Sequence, residues 1–466
     1  MKKLYNLIFI PYLFFLSCQT HPKKVNILDC GAIADSTTIN STFIQKAIDA
    51  CNDAGGGTVI IPRGAFISGT VLLKDNVTLH LEKGAQLVGS KNPNDYITID
   101  PFTDAVNQVR GKCLVGAENA HNIAITGEGT IVGRGQLLKK PALLKTMKDL
   151  GVDRSKLNDF ANNRPFLIRL VKSTNINIQG VQLRQPAAWT LHIFQCKNIL
   201  VDGIDIYSHA HRNNDGIDLD SSRDAIIRNC HIDSGDDAIC IKSTSPMPTQ
   251  DVMISNCHLK SDWGTIKFGT ESMGDFKNIT VDNCTIQDTR GGGIKILSMD
   301  GANIDSITIS NITMDRVEMP IFIRLGERLR TYRNAPKQKV GSINNIVLRN
   351  IKAVVRDTAE CRVNPPSGIL ITGTPQHRIG KVTLHNIDIS LPGCGTKAQA
   401  KNQIAEDEKR YPEFSFFGVL PASNMFARHI EKLETQNLHF SHRAKDERNE
   451  IWMDDVIETT TEKAKQ

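Results

Sequence analysis

The chain has 466 residues and a formal charge of +6, with 34 glycines and only 6% aromatic residues. So mild a charge argues against a nucleic-acid footprint, and glycine with β-branched residues suits many short strands joined at tight corners. The length suggests more than one compact domain, yet a solenoid reaches it as a single unit.

The first element is MKKLYNLIFIPYLFFLSCQT: two lysines, an apolar run, then a small residue and Cys18. Residues 1–18 read as a secretory signal whose apolar core is too short for a membrane span. Phe15-Leu16-Ser17-Cys18 resembles the lipobox of bacterial lipoproteins, with phenylalanine where leucine is usual. Cys18 is therefore the expected lipidation site and 19–24 a short linker. The expectation is an exported protein, lipid-anchored to the outer membrane of a Gram-negative bacterium on its periplasmic face or surface.

Ser41 to Cys51 has helical periodicity, with Phe43, Ile44, Ala47 and Ile48 on one face, and Gly55-Gly56-Gly57 stops it. Thr58 to Ile61, Val71 to Leu73 and Val77 to Leu81 follow as strands. From residue 122 one pattern recurs: polar, apolar, any, apolar, any, then Asn or Gly. It ends at Gly127, Gly180, Gly203, Asn229, Asn256, Asn283, Asn311, Asn350 and Asn386. From Gly180 to Asn311 the steps are about 23 to 28 residues, a solenoid repeat rather than a propeller blade. Asparagine recurring at one phase predicts a ladder of side-chain amides. The expected fold is all-β: a single-stranded, right-handed parallel β-helix with a short N-terminal capping helix, over residues 25–456. Residues 129–165 break the pattern, with a helical, basic stretch from Lys139 to Lys156 that reads as a lid or cleft wall. Residues 396–413 read as an exposed polar loop, 425–456 as closing coils and 457–466 as a disordered tail.

Within this repeat, Asp215 stands before the alternation Gly216-Ile217-Asp218-Leu219-Asp220. Asp236 and Asp237 stand before Ala238-Ile239-Cys240-Ile241-Lys242. One circuit separates them, and neighbouring coils lie about 4.8 Å apart, so three carboxylates gather on one exposed face. Mutual repulsion makes one hold its proton, which is the acid that glycosidic hydrolysis requires beside a base for water. On spacing alone the same aspartates also fit solvated turn corners. Cys230, Cys240, Cys257 and Cys284 fall at similar phases and read as interior stacking. No CxxC or histidine cluster suggests a metal, and no cofactor is expected.

With these residues in view, the chain resembles the polygalacturonase family, glycoside hydrolase family 28, over nearly everything after the signal. Gly31 to Ser90 is similar to its N-terminal signature, and Tyr411-Pro412-Glu413 through Ala427-Arg428-His429 to its C-terminal one. Asn213-Asn214-Asp215-Gly216 and Gly235-Asp236-Asp237 are similar to its aspartate motifs. The resemblance implies Asp236 as general acid, and Asp215 and Asp237 as the residues that position and deprotonate water for attack with inversion. It implies a pectic, galacturonate-containing substrate. Two departures stand out: Trp263-Gly264-Thr265 lacks the family's histidine, and Gly293-Ile294-Lys295 keeps its lysine without the arginine. Strand alignment puts Lys267 and Lys295 in one column with His192 and Asp218. Asn213, Lys267, Lys295 and Arg324 are thus the expected substrate-binding residues, with Arg290, Arg328 and Arg330 as further candidates. The expected partners are pectic polysaccharide or oligosaccharide and, through the lipid anchor, a membrane; no nucleic acid is expected, and the protein is expected to be a monomer. The alternatives are a polysaccharide lyase on the same fold, its acidic trio recast as a calcium site, and a non-catalytic glycan-binding solenoid.

Overall fold

A computed structural model describes residues 23–462; residues 1–22, with the expected signal and Cys18, and residues 463–466 lie outside the described residues. The repeat folds as expected. One coil consists of the strands Leu191–Phe194, Lys197–Asp202 and Asp205–Ser208. The next places Ile217–Asp220, Arg223–Arg228 and His231–Ser234 on them in parallel register. Coils continue this way along the chain into one right-handed parallel β-helix. From Phe276 onward two columns fuse into long bent strands such as Phe276–Thr289 and Asn303–Val317.

Alternation along each strand sends every second side chain inward. Ile193, Leu219, Ile241, Phe268, Ile296, Ile323 and Ile371 stack coil upon coil with no exposed surface. Truncating any one of them would cost about 2–5 kcal/mol, since a stacked core closes poorly around a cavity. Helix Ser41–Asp53 buries Ile44, Ala47, Ile48 and Cys51 over the first coil, so that the stack does not end in water.

The asparagine ladder is present. Asn283 donates to Asn256 at 2.8 Å, Asn350 to Asn311 at 3.0 Å and Asn386 to Asn350 at 3.0 Å, with these residues near φ +55°. Asparagine tolerates that left-handed conformation better than other side-chain-bearing residues. A second ladder, Asn76–Asn122–Asn175–Asn198, runs through the early coils.

Four expectations need correction. Residues 457–462 are not a disordered tail but the end of strand Asn449–Glu462, paired on Ala422–His442. Strand Lys23–Asn26 pairs with Gly57–Ile61, so the first coil begins inside the expected linker. Cys230, Cys257 and Cys284 stack, whereas Cys240 aligns with Asp218 and Lys267 on the opposite face. The loop 396–413 is solvated only in part: Pro412 and Glu413 at its end are buried.

Candidate active site

The site is built on the outward face of one strand column. Its register runs Arg169, His192, Asp218, Cys240, Lys267, Lys295. An outward face of a solenoid is ordinarily wet, and the sequence predicts an exposed one. Here loops cover it, and every one of these six residues is at most 2% exposed. The hairpin of strands Thr98–Thr103 and Val109–Glu118 forms one wall. It is tied to the site by Ala105 N–H donating to Glu271, and to the 326–341 loop by Arg330 donating to Ala105 O and Asn107.

The backbone sets the three aspartates. Gly216 N–H donates to Asp237 O at 2.8 Å, so Asp215 lies beside Asp237 across neighbouring coils. A Cβ at Gly216 would stand 2.4 Å from Ala238 O, which is why the motif has glycine there. Buried Asn214 pins the turn from within, donating to Pro186 O and Ala188 O. One carboxylate oxygen from each of Asp215, Asp236 and Asp237 lies within 4.8 Å of the others. Such a set could hold a cation by geometry, but two ammonium groups already face it.

Lys242 Nζ lies 3.3 Å from Asp215, 3.4 Å from Asp218 and 3.3 Å from Glu271, and 4.1 Å above the Trp189 ring. Lys267 Nζ lies 2.6 Å from Asp237 Oδ2. Asp236 is the partly exposed member, and its nearest side-chain donor outside the trio is Asn213 Nδ2 at 3.5 Å. Asp215 and Asp237 thus each have a cation against them, and Asp236 has none. Burial pushes the Asp236 carboxyl well above the ordinary range, and the charges of Asp215 and Asp237 push it further. Burial and neighbouring Asp218 raise Asp215 as well, against the pull of Lys242. Asp218, buried with no well-directed hydrogen bond, is pushed up to about 7 by burial, which Lys242 only partly offsets. Burial and mutual repulsion therefore favour proton binding in the cluster, and the carboxyl without a cation is the natural place for a transferable proton.

The other expected residues are distributed unevenly. Asn213 is at the site, its Oδ1 held by Arg164 from the end of the 129–165 insertion. That insertion folds as helices Lys140–Asp149 and Leu157–Asn162, whose ends line a cavity with His211 and Arg212. Lys267 and Lys295 share the expected column, but neither is a free amine. Lys267 is paired with Asp237, and Lys295 with buried Glu413 at 2.7 Å. Arg324 is not a site cation either; it is 1% exposed and donates to Thr372, Gly373 O and Glu406 O. Arg328 is paired with Asp300, while Arg290 is exposed.

Sequence reasoning missed Lys242, Glu271 and Glu413. Lys242 was within reach, because it lies two residues beyond Cys240 and so on the same strand face. Glu413 joins Lys295 from 118 residues away, a separation that no local period announces.

A model of the family described as glycosyl hydrolases family 28 matches residues 51–408. A probable polygalacturonase of Vitis vinifera is 30% identical over 239 residues, covering 49% of this chain and 45% of its own. An exo-poly-alpha-D-galacturonosidase of Dickeya chrysanthemi is 30% identical over 252 residues, covering 47% and 42%. The chain thus spans less than half the length of these curated relatives. Among solved structures, the family 28 exopolygalacturonase of Yersinia enterocolitica superposes with a TM-score of 0.72. Its identity is 20%, and the match covers 95% of this chain and 78% of that one. At that identity the likeness bears on the fold.

Proposed function

Because this chain belongs to glycosyl hydrolases family 28, we propose that it hydrolyses glycosidic bonds of a pectic, galacturonate-containing glycan with inversion. The observation that carries the reading is the trio itself: three carboxylates within 4.8 Å, two against ammonium groups and one without. Asp236, protonated, donates to the leaving glycosidic oxygen. Asp215 and Asp237 hold and deprotonate the water. A water bonded at about 2.7–2.8 Å to each of two oxygens spans up to about 5.5 Å, so this pair can share one. Two-carboxylate inverting sites ordinarily separate acid from base by about 6.5–9.5 Å; this trio is tighter, and inversion is carried here by the family rather than by the spacing. The general acid contributes about 10²–10⁴-fold.

The lyase alternative needs a neutral lysine or an arginine as base. Lys242 and Lys267 are held above the ordinary lysine range by surrounding anions, against the effect of burial, and Lys295, which burial lowers, is occupied by Glu413 at 2.7 Å. We propose in addition that the protein is exported and lipid-anchored at Cys18, on the strength of the N-terminal sequence. The test of the activity is a panel of homogalacturonan, rhamnogalacturonan and short oligogalacturonides. New reducing ends without absorbance from an unsaturated sugar support hydrolysis, and unsaturated products would replace it with elimination.

A further inference from the structure

A glycan bearing carboxylates requires a cation with free N–H donors at the surface of the site. The column lysines do not supply one. Lys267 and Lys295 are at most 2% exposed, and each faces a carboxylate of the protein itself at 2.6–2.7 Å. Lys242 lies beneath three more carboxylates, and both terminal nitrogens of Arg324 are engaged with backbone and Thr372.

Arg362 is different. It is exposed, and its guanidinium lies 3.9 Å from the centroid of the Trp263 ring. Of its side-chain donors only Nη2 is engaged, on Asp262 O at 2.9 Å. The residue is nevertheless fixed, because its own N–H and that of Val363 donate to the buried Glu318 carboxylate at 2.9 and 2.8 Å. The ring beneath it is fixed too. Trp263 Nε1 donates to Glu413 Oε1 at 2.9 Å, the oxygen that also binds Lys295.

This platform is joined directly to the aspartates. Ser261 Oγ accepts from Trp263 N at 2.8 Å and donates to Asp236 O at 2.7 Å. Gly264, next in the chain, directs its N–H to Asp237 Oδ1 at 3.3 Å, and a Cβ there would stand 2.9 Å from that oxygen. The guanidinium is close enough for the charges of Glu413, Asp236 and exposed Arg290 to act on it.

We infer that Arg362, set over the Trp263 ring, is the residue that binds the carboxylate of the uronate beside Asp236. This rests on the proposed reading that the ligand is a uronate-containing glycan. A planar guanidinium with free parallel donors takes a carboxylate bidentately, which a lysine does not. Contact with an indole face holds the guanidinium in place with little loss of freedom on binding. The specificity cation thus comes from the 356–366 segment, and the column lysines are paired with the protein's own carboxylates.

The experiment is a fluorescence titration of the full chain carrying Asp236→Asn, which blocks turnover, and following its tryptophans. The ligands are trigalacturonate and its carboxyl-reduced counterpart. A charge-assisted hydrogen bond is worth about 1.5–3 kcal/mol, so Arg362→Met should weaken trigalacturonate roughly 10- to 150-fold. The reduced trisaccharide should change less than about threefold, and Arg362→Lys should recover part of the loss. Equal losses on both ligands, or unchanged affinity for trigalacturonate, would overturn the assignment. Arg362→Gln repeats the test with a polar side chain should the methionine variant fail to fold. The two readings fail separately. Charge-selective binding that depends on Arg362, without cleavage by the wild-type chain, removes the hydrolase and leaves the binding residue standing. Cleavage of galacturonan whose charge preference survives Arg362→Met does the reverse.

Discussion

Lys267 Nζ lies 2.6 Å from Asp237 Oδ2, and each side chain is 2% exposed, so the two form a buried ion pair inside the aspartate cluster. Removing one partner of such a pair leaves the other uncompensated, which costs about 3–5 kcal/mol. Lys267→Met should therefore lower stability by that order. It should also depress activity on charged and neutral substrates alike, because what it disturbs is Asp237. Denaturant unfolding with kinetics on carboxylated and carboxyl-reduced oligomers checks both parts. An unchanged unfolding midpoint with a defect confined to carboxylated substrate would return Lys267 to substrate binding.

Asp236→Asn should reduce turnover by about 10²–10⁴-fold while the chain stays folded, since this carboxylate is the trio's partly exposed member and lacks a cation. Circular dichroism and initial rates measure the two halves. A variant retaining more than a tenth of wild-type activity would move the acid elsewhere.

Asp218 gives a pH signature. Burial raises its folded pKa to about 7, above the unfolded value, so the folded state binds the extra proton between about pH 4 and 7. Stability from this group is then full at the acid side and lost as pH rises towards 7. Asp218→Asn removes the titration without changing shape, so the variant should gain on wild type between pH 5 and pH 8, by a few kcal/mol at most. Chemical denaturation at both pH values gives the difference. A gain at pH 5 that vanishes at pH 8 has the wrong sign for a raised carboxyl.

Asn283 separates two reasons for the ladder. It stands at φ +52° and donates to Asn256. Asn283→Ala should lose about 1–2 kcal/mol, the strain of a left-handed residue together with the bond. Asn283→Gly keeps the backbone conformation and should lose less. If the two are equally destabilised in a melting series, the hydrogen bond alone accounts for the asparagine.

The N-terminal reading has its own test. Cys18→Ser should release into the soluble fraction a protein that otherwise sediments with membranes, and mass spectrometry of the wild-type N-terminus should find acyl chains on Cys18. A soluble wild-type protein cleaved elsewhere removes the anchor.

Much of this was legible in the sequence because a solenoid is periodic. A coil of 22 residues, from Ile217 to Ile239, puts Asp215 beside Asp237, and a period of two puts His192, Asp218, Lys267 and Lys295 on one face. What periodicity does not carry is what covers that face. Glu413 reaches Lys295 from a loop 118 residues on, and Arg362 reaches Trp263 from a segment about a hundred residues on. The lysines therefore read as free cations in the sequence and are paired in the structure. Residues 457–462 failed for the opposite reason: IETTTE is polar, but its partner strand supplies the ladder that its composition does not announce.

The central claim is that Asp236 gives a proton to the leaving group while water held by Asp215 and Asp237 attacks from the opposite side. Time-resolved proton NMR of a short α-linked oligogalacturonide during digestion tests it most directly. The account predicts that the first new reducing ends are β anomers, with no olefinic signal, and that the Asp236→Asn chain gives none on the same timescale. New α anomers, or an unsaturated product, would contradict it.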